Sequence, residues 1–462
     1  MSDAGVLADR VGAPAEAFER PALHRGLGLG LVWLVVLGNA AAIVWLWAHG
    51  GNLEVSTAGK GLTSVARITG LLGAYAALLQ VVLLARVPAL ERLVGFDRLT
   101  VWHRWNGHVT FDLVIVHVVA SVWGYALLDH YPLGKELSTM LGGGVYPGMI
   151  TATIGTALLV AVVGSSYAIA RRNLPYEWWY AVHLLAYAGI ALAWFHQIPT
   201  GNELVLDTTA ADYWRALYAA TLALLLVFRV LAPAIGFFRH DLRVAEVVEE
   251  GPGVVSLSIE GRRLERLRAR PGQFFVWRFL TRRRWWTAHP FSLSAAPDGR
   301  TLRITVKALG DHSAALASVR PGTHVLVEGP FGVFTAAARR REKVLLIAGG
   351  IGITPVRALL EELHGDIVVL YRVVAEEDLV LCGELHALAA RRGFAVHEVV
   401  GDHRTEAGSR LLTAPHLREL VPDLAERDVF VCGPPALADV LRRELRRAGV
   451  HRRYLHAERF AL

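Results

Sequence analysis

Charge is scarce in this chain. Only 19% of its 462 residues are Asp, Glu, Lys or Arg, where a soluble domain carries about 25%. Hydrophobic residues reach 53%. That balance excludes an ordinary soluble enzyme, a disordered chain and a fibrous one, and points to a membrane protein with a soluble part attached. Cysteine is scarcer still. Cys382 and Cys432 are too few for a disulfide framework, and both fall in the more polar half, which fits a reduced cytosolic compartment. The net charge of +7 comes without the basic stripe interleaved with aromatics that nucleic acid requires, so no nucleic acid partner is expected. The residues before the first apolar run are polar and carry both charge signs, so no cleavable signal sequence is expected.

Long apolar runs are plentiful, and almost all precede Arg239. A membrane span needs about 20 mostly apolar residues. Six stretches qualify, at 27–48, 63–86, 105–128, 146–170, 177–198 and 213–236. They predict an all-α six-helix membrane bundle over 27–239 behind a tail of residues 1–26, with membrane lipid as its surroundings. Arginines cluster at one set of connections: Arg10, Arg20 and Arg25 in the tail, Arg86, Arg92, Arg98 and Arg104 between spans two and three, Arg171 and Arg172 between four and five, and Arg239 and Arg243 after six. The opposite loops carry only Lys60 and Lys135. Positive charge stays inside, which predicts cytoplasmic termini and a multi-pass protein of the plasma membrane. Trp102, Trp105, Trp178, Trp179, Trp194 and Trp214 cluster near span ends, as an interfacial belt would.

Ionisable residues inside a span are costly and mark function. Span three carries His103, His108 and His117, and span five carries His183 and His196. On an ideal helix His103 and His117 share a face within ~40° but stand ~21 Å apart along the axis. They cannot share one ion, which excludes a zinc site built from one helix. His103 paired with His183, and His117 with His196, would make two cross-helix pairs at two depths. The fit on span five is poorer, with its two histidines ~140° apart, so a tilt, a bulge or an approach from opposite sides has to absorb the difference. His108 lies off the shared face and is read as structural. Two stacked imidazole pairs are what two b-type haems require as axial ligands.

Six spans with this histidine arrangement resemble the ferric reductase and NADPH oxidase family. The resemblance implies that His103 and His183 hold the iron of an inner haem and His117 and His196 that of an outer one. It also implies that Arg67, in the run SVARITG, lies beside the outer haem. An arginine snorkelling to the outer interface is the alternative.

From residue 240 to 338 short β-rich runs alternate with turns, which predicts an antiparallel β-barrel. From 339 to 462 strands alternate with helices, which predicts an α/β parallel sheet. The first segment carries PGQF at Pro271–Phe274 and HPFSLS at His289, Pro290, Phe291, Ser292, Leu293 and Ser294. An extended segment with hydroxyls and backbone donors can lie along a flat ring and its ribityl chain. VKALGDHS follows, where Lys307 can meet a pyrophosphate and Gly310 permits close approach, with Ser313 a further candidate for binding the FAD. In this order the motifs look like the FAD domain of the ferredoxin reductase superfamily, with Lys307 in place of that family's arginine and hence without its fork of donors.

The second segment opens with AGGIGITP, a glycine turn between strand and helix that includes Gly349, Gly350, Gly352, Thr354 and Pro355. Such a turn brings backbone N–H groups and a helix N-terminus to a phosphate. CGPP at Cys432, Gly433 and Pro434 follows a later strand, as in the nicotinamide domain of the same superfamily. The resemblance puts Cys432 near the nicotinamide; Cys382 is read as packing. Arg372 after the strand IVVLY could meet an adenosine 2′-phosphate, which favours NADPH, whereas Glu376, Glu377 and Asp378 oppose it unless they point outward. By the same resemblance Phe460 shields the flavin and Glu458 helps position it, although family oxidases often end on that aromatic and this chain continues through Ala461 and Leu462.

What these readings imply is a transmembrane oxidoreductase passing electrons from cytosolic NADPH through FAD and two haems to a small outer acceptor. Phe460, Cys432 and Arg67 would be the residues at the reacting groups. The outer loops show no metal-binding cluster, which leans toward oxygen reduced to superoxide. A ferric-chelate reductase with the same path, or an electron relay to a protein partner, are the alternatives. No calcium-binding loop or long domain precedes span one, which predicts constitutive activity without an obligatory protein activator.

Overall fold

The computed structural model describes residues 22–142, 144–167, 176–282, 285–402 and 404–459. The chain divides into two units, one of residues 22–232 and one beginning at Pro233. Arg10, Arg20, Arg171, Arg172, Phe460, Ala461 and Leu462 lie outside the described residues.

The first unit is helical. It contains α1 (Ala22–Trp47, closed by a π turn at Ala48–Asn52), α2 (Ala58–Leu83), α3 (Pro88–Val94), α4 (Phe96–Leu128), α5 (Leu133–Leu141), α6 (Met149–Ser166), α7 (Tyr176–Thr200), α8 (Asn202–Leu206) and α9 (Thr208–Leu225). The last continues through a second π turn into α10 (Ala232–His240). Among the described residues six helical stretches are long and apolar enough to cross a membrane: Gly26–Asn52, Ala58–Leu83, Arg98–Leu128, Met149–Ser166, Trp178–Thr200 and Thr208–His240. Each expected span falls on one of them. Leu31, Trp105, Phe195 and Leu222 are all more than half exposed, an outward apolar surface that suits hydrocarbon and would be an aggregation liability in water.

Helices α2 and α4 pack along each other, as do α6 and α7. In lipid there is no hydrophobic drive between helices, so small residues and hydrogen bonds carry their association. A Cβ on Gly155 would lie 2.6 Å from the Gly189 carbonyl oxygen, which is how closely α6 and α7 approach. Between α2 and α4, Gln80 Nε2 donates to the His103 carbonyl at 2.8 Å, and Asn106 Nδ2 donates to Gln80 Oε1 at 2.7 Å.

After α10, whose residues from Pro233 on belong to it, the second unit contains β1 (Arg243–Gly251), β2 (Val254–Glu260), β3 (Phe274–Phe279), β4 (His289–Ser292), β5 (Thr301–Lys307) and β6 (Val325–Phe331). The expected barrel is corrected here. Among the described residues these strands form two three-stranded antiparallel sheets, β1-β2-β5 and β4-β3-β6, and no barrel closes. Only isolated bridges, Arg243–His324 and Leu293–Ile304, join them. The four-residue β4 is too short to continue a ladder around a closed wall. Leu257, Ile304, Phe275, Trp277 and Val325 instead fill one core shared by both sheets.

A parallel sheet follows, built from β7 (Val344–Gly349), β8 (Ile367–Val373), β9 (Ala395–Val400), β10 (Asp428–Gly433) and β11 (Leu455–Arg459) in the order β11-β10-β7-β8-β9. Its helices are α11 (Ile353–Leu360), α12 (Cys382–Arg392), α13 (Ala414–Leu420) and α14 (Pro435–Arg447). Every residue of β7 and β10 is buried, as expected of strands covered on both faces. Strand order reverses between β7 and β10. Open α/β sheets bind ligands at the carboxyl ends of strands flanking such a reversal.

Candidate functional site

In the helical unit α4 and α7 bring the four predicted histidines together in two pairs. The rings of His103 and His183 have centroids 6.0 Å apart, and those of His117 and His196 6.2 Å apart. α7 runs unbroken through both of its histidines, so no bulge absorbs their angular offset and the two rings reach α4 from different flanks of the helix. His108, off this face, is exposed and lies against Trp105 and Tyr167.

The two paired α4 histidines are oriented by α2. His103 Nδ1 donates to the Gln80 carbonyl at 3.1 Å, and His117 Nδ1 to the Ala66 carbonyl at 2.7 Å. A carbonyl only accepts, so Nδ1 carries the proton and Nε2 keeps its lone pair for a ligand. Gly70 makes room for this. A Cβ there would lie 2.6 Å from His117 Nδ1. On α7, Nδ1 of His183 and of His196 is buried without a hydrogen-bond partner among the described residues. Two metal–imidazole bonds of ~2 Å each, plus the offset from nitrogen to ring centre, account for ring separations of this size. The residues therefore fit haem iron at both levels. Arg67 lies next to Ala66 on α2 and donates from Nη1 to Asn52 Oδ1 at 2.8 Å.

In the second unit the HPFSLS run forms β4 and its continuation. Trp277 Nε1 donates to the Phe291 carbonyl at 2.9 Å, and Leu293 and Ser294 are fully buried. The His289 ring stacks on His312 at 3.7 Å. Ser313 Oγ accepts from the backbone N–H groups of Leu309 and Gly310 at 2.9 and 3.1 Å. A Cβ on Gly310 would meet nothing within 4 Å. An open backbone turn beside Lys307 suits a pyrophosphate, and these residues fit FAD. Lys307 Nζ is meanwhile paired with Asp378 at 2.6 Å, while Glu376 and Glu377 point outward.

The glycine turn sits at the strand reversal, pressed against the end of β10. A Cβ on Gly352 would lie 2.3 Å from the Cys432 carbonyl oxygen, whereas one on Gly350 would meet nothing within 4 Å. Thr354 and Pro355 are buried in the first turn of α11, and Gly433 packs against Gly349 just ahead of Pro434. This geometry fits the phosphates of a dinucleotide. Arg372 is the register neighbour of Gly349, but its guanidinium is buried and turns to the carbonyls of Val373, Val399 and Gly401. The structure thus ties it to the strand ends and does not present it to the crevice. Cys432 is paired in register with Glu458, which lies beside Gly332 of the neighbouring sheet.

Burial pushes the Cys432 thiol well above its ordinary value, with Glu458 adding to the effect. Burial pushes Cys382 up to about 11, reinforced by Glu398. Both are therefore neutral thiols at physiological pH, and thiolate is the reactive form. Iodoacetamide at pH 8 is expected to leave both unmodified in the folded protein within minutes and to label both after denaturation, as read by mass spectrometry.

One cluster escaped sequence reasoning altogether. Arg303 on β5 makes two hydrogen bonds to Glu384 on α12, at 2.7 and 2.8 Å, and Arg357 pairs with the same carboxylate at 2.7 Å. Both arginines also donate to the Ser294 carbonyl, at 3.0 and 3.2 Å. The Arg303 bond, first among several, holds the Glu384 carboxyl below its usual range. This cluster fastens the end of the HPFSLS run to the parallel-sheet lobe. Glu384→Gln is expected to cost about 1–2 kcal/mol, seen as a lower melting temperature of the full chain.

Comparison with known proteins agrees with this division. Residues 69–194 match the ferric reductase like transmembrane component, residues 242–335 an FAD-binding domain, and residues 346–443 the oxidoreductase NAD-binding domain. The chain has the architecture of a ferric-reductase-like transmembrane domain followed by FAD-binding and NAD-binding domains. Its carboxyl-terminal half, with FAD-binding and oxidoreductase NAD-binding domains, is of the ferredoxin reductase type. The chain is 34% identical over 234 residues to the ferredoxin reductase component of 3-ketosteroid-9-alpha-monooxygenase from Mycolicibacterium smegmatis, covering 48% of this chain and 65% of that protein. It is 32% identical to an NADPH oxidoreductase from Mycobacterium tuberculosis, covering 42% and 52%. With ferredoxin–NADP reductase B of Sorangium cellulosum the identity is 30%, covering 37% and 77%. The chain thus spans less than two thirds of the first two relatives. In this ferric-reductase-like protein the membrane match includes His103, His117 and His183 and stops just short of His196. Gln80 and Asn106, which tie α2 to α4, carried a readable signal as lone amides within apolar runs.

Proposed function

We propose that the protein carries electrons from NADPH on the cytosolic side of the plasma membrane to a small acceptor on its outer side, with oxygen, reduced to superoxide, as that acceptor. The observation that supports this most directly is the pair of imidazole couples, 6.0 and 6.2 Å between rings, held at two levels between α4 and α7. Bound FAD supplies the conversion of a two-electron hydride donor into single electrons, and two b-type haems supply single-electron carriers across the bilayer.

The chain's own residues bind and orient. In this reading residues 27–239 form the haem domain, 240–338 the FAD domain and 339–462 the NADPH domain, with both termini cytosolic. His103 and His183 hold the inner iron, His117 and His196 the outer one, and the Gln80 and Ala66 carbonyls fix which nitrogens coordinate. Lys307 exchanges Asp378 for the pyrophosphate of FAD, and the turn from Gly310 to Ser313 borders it. Gly349 to Pro355 receive the dinucleotide phosphates, and Cys432, neutral and buried, packs beside the nicotinamide. Arg67 offers a positive charge at the outer level. NADPH is favoured by likeness to relatives named as NADPH oxidoreductase and ferredoxin–NADP reductase; with Arg372 turned inward, recognition of a 2′-phosphate falls to other groups. Phe460, outside the described residues, is assigned the flavin shield.

Oxygen asks least of the outer face. It is small and neutral, and it needs no ligand set. The test is NADPH-driven cytochrome c reduction by the purified, FAD-supplied protein, with and without superoxide dismutase. Strong inhibition by dismutase is the expected result. Turnover that ignores dismutase but rises with ferric chelate would make the protein a metalloreductase. Failure with every small acceptor would point to a protein partner.

A further inference from the structure

The α1 π turn ends on Asn52, which is 4% exposed although it closes a helix, and what buries it is a polar network. Its Oδ1 accepts from Arg67 Nη1 at 2.8 Å, its Nδ2 donates to Glu203 Oε1, and Ser64 Oγ donates to its carbonyl at 2.6 Å. An arginine only donates and a carboxylate only accepts, so the amide has one possible orientation. Glu203, on α8, is likewise 4% exposed. Asn202 Nδ2 donates to the Gly50 carbonyl at 3.1 Å, locking α8 onto the turn. A Cβ on Gly50 would lie 2.8 Å from Glu203 Cγ, so the glycine makes room for the carboxylate.

The two charges are tied to the two histidines of one pair. Arg67 follows Ala66, whose carbonyl holds the His117 ring. Glu203 comes seven residues after His196, on α8 just past the end of α7. Among the described residues the guanidinium makes a single hydrogen bond, to Asn52, out of its five N–H donors. A buried carboxylate without a cationic counterpart is strongly unfavourable, and one linked through an amide to an arginine is balanced.

We propose that Asn52 and Glu203 are positioning residues for Arg67, and that the Glu203 charge offsets that of Arg67 at the His117–His196 level. This inference rests on the two-haem reading. A lone arginine there would stabilise the more negative, reduced form of that haem. The balanced pair keeps the site more reducing, which favours passing the electron on to a weak acceptor.

The test is a spectroelectrochemical titration of the full-length, haem-loaded protein in nanodiscs. The haem at this level is identified as the one lost in His117→Leu. Glu203→Gln, which keeps the shape and the hydrogen bond to Asn52, is expected to shift that haem's midpoint upward and to leave the other nearly unmoved. Arg67→Gln is expected to shift the same midpoint downward, and the double variant to return it toward the parent value. Should Glu203→Gln fail to fold, Arg67→Gln against Arg67→Lys, which keeps the positive charge, carries the test: only Arg67→Gln is expected to lower that midpoint. Two bound haems with unshifted midpoints in the folded variants, or shifts of opposite sign, would overturn the proposal. Absence of haem from the parent protein would instead overturn the two-haem reading on which it rests.

Discussion

Leucine at His117 is expected to reduce haem content from two per chain to one and to cut reduction of an outer acceptor on the order of 100-fold or more. The same is expected of His196→Leu. Each change removes one side of a ring pair 6.2 Å across, so the iron would lose one of the two imidazoles proposed to hold it. The bundle should tolerate the change. The His117 ring fits against Gly70 of α2, so leucine replaces one half-buried ring by apolar atoms in a space already shaped for bulk. The flavin end works independently of this level, so NADPH should still bleach the flavin at its parent rate in stopped flow. Pyridine haemochrome assay counts the haem. Two haems retained in both variants would show that these rings are not axial partners.

Valine at Gly352 is expected to lower NADPH-dependent flavin reduction on the order of 100-fold, with FAD and haem content unchanged. A Cβ at this position would lie 2.3 Å from the Cys432 carbonyl oxygen, closer than any real contact. The turn must lift from β10 and carry its phosphate-facing N–H groups with it. Overpacking of this kind also costs about 1–3 kcal/mol. Gly350→Ala is the control. Its Cβ would meet nothing within 4 Å, and its penalty comes from the positive φ of 53°, on the order of 1–2 kcal/mol. A Gly352→Val protein with parent NADPH kinetics would remove the glycine turn from the dinucleotide site.

The parts that were legible in the sequence are those whose physics is local. A run of twenty apolar residues must span a membrane or be buried, whatever surrounds it. Histidines 14 and 13 residues apart on two such runs lie at matched depths because helical rise is constant. Glycine turns between a strand and a helix reveal themselves by spacing. The barrel expectation failed for a reason of the opposite kind. Strand-sized runs with turns are common to barrels and to paired sheets, and closure depends on whether edges find one another; here β4 is too short and only isolated bridges form. Arg372 shows the same limit. Its place behind the run IVVLY was readable, but not that it would fall inside β8, with donors that find the carbonyls of Val399 and Gly401 on and just past the neighbouring strand.

What the sequence by itself determined is therefore the six apolar spans, the order of the FAD-binding and NAD-binding lobes, and the matched depths of four histidines. Apolar run length, helical rise and glycine spacing act over a few turns of chain and need no partner. What only the tertiary structure decided is which groups complete one another across distance. Asn52 meets Glu203 from 151 residues away, Arg303 meets Glu384 from 81, and the Ala66 carbonyl orients His117 from a different helix. Hydrogen bonds and ion pairs of this sort are directional and short in range. Nothing in either residue alone announces its partner until packing has brought the two within 3 Å.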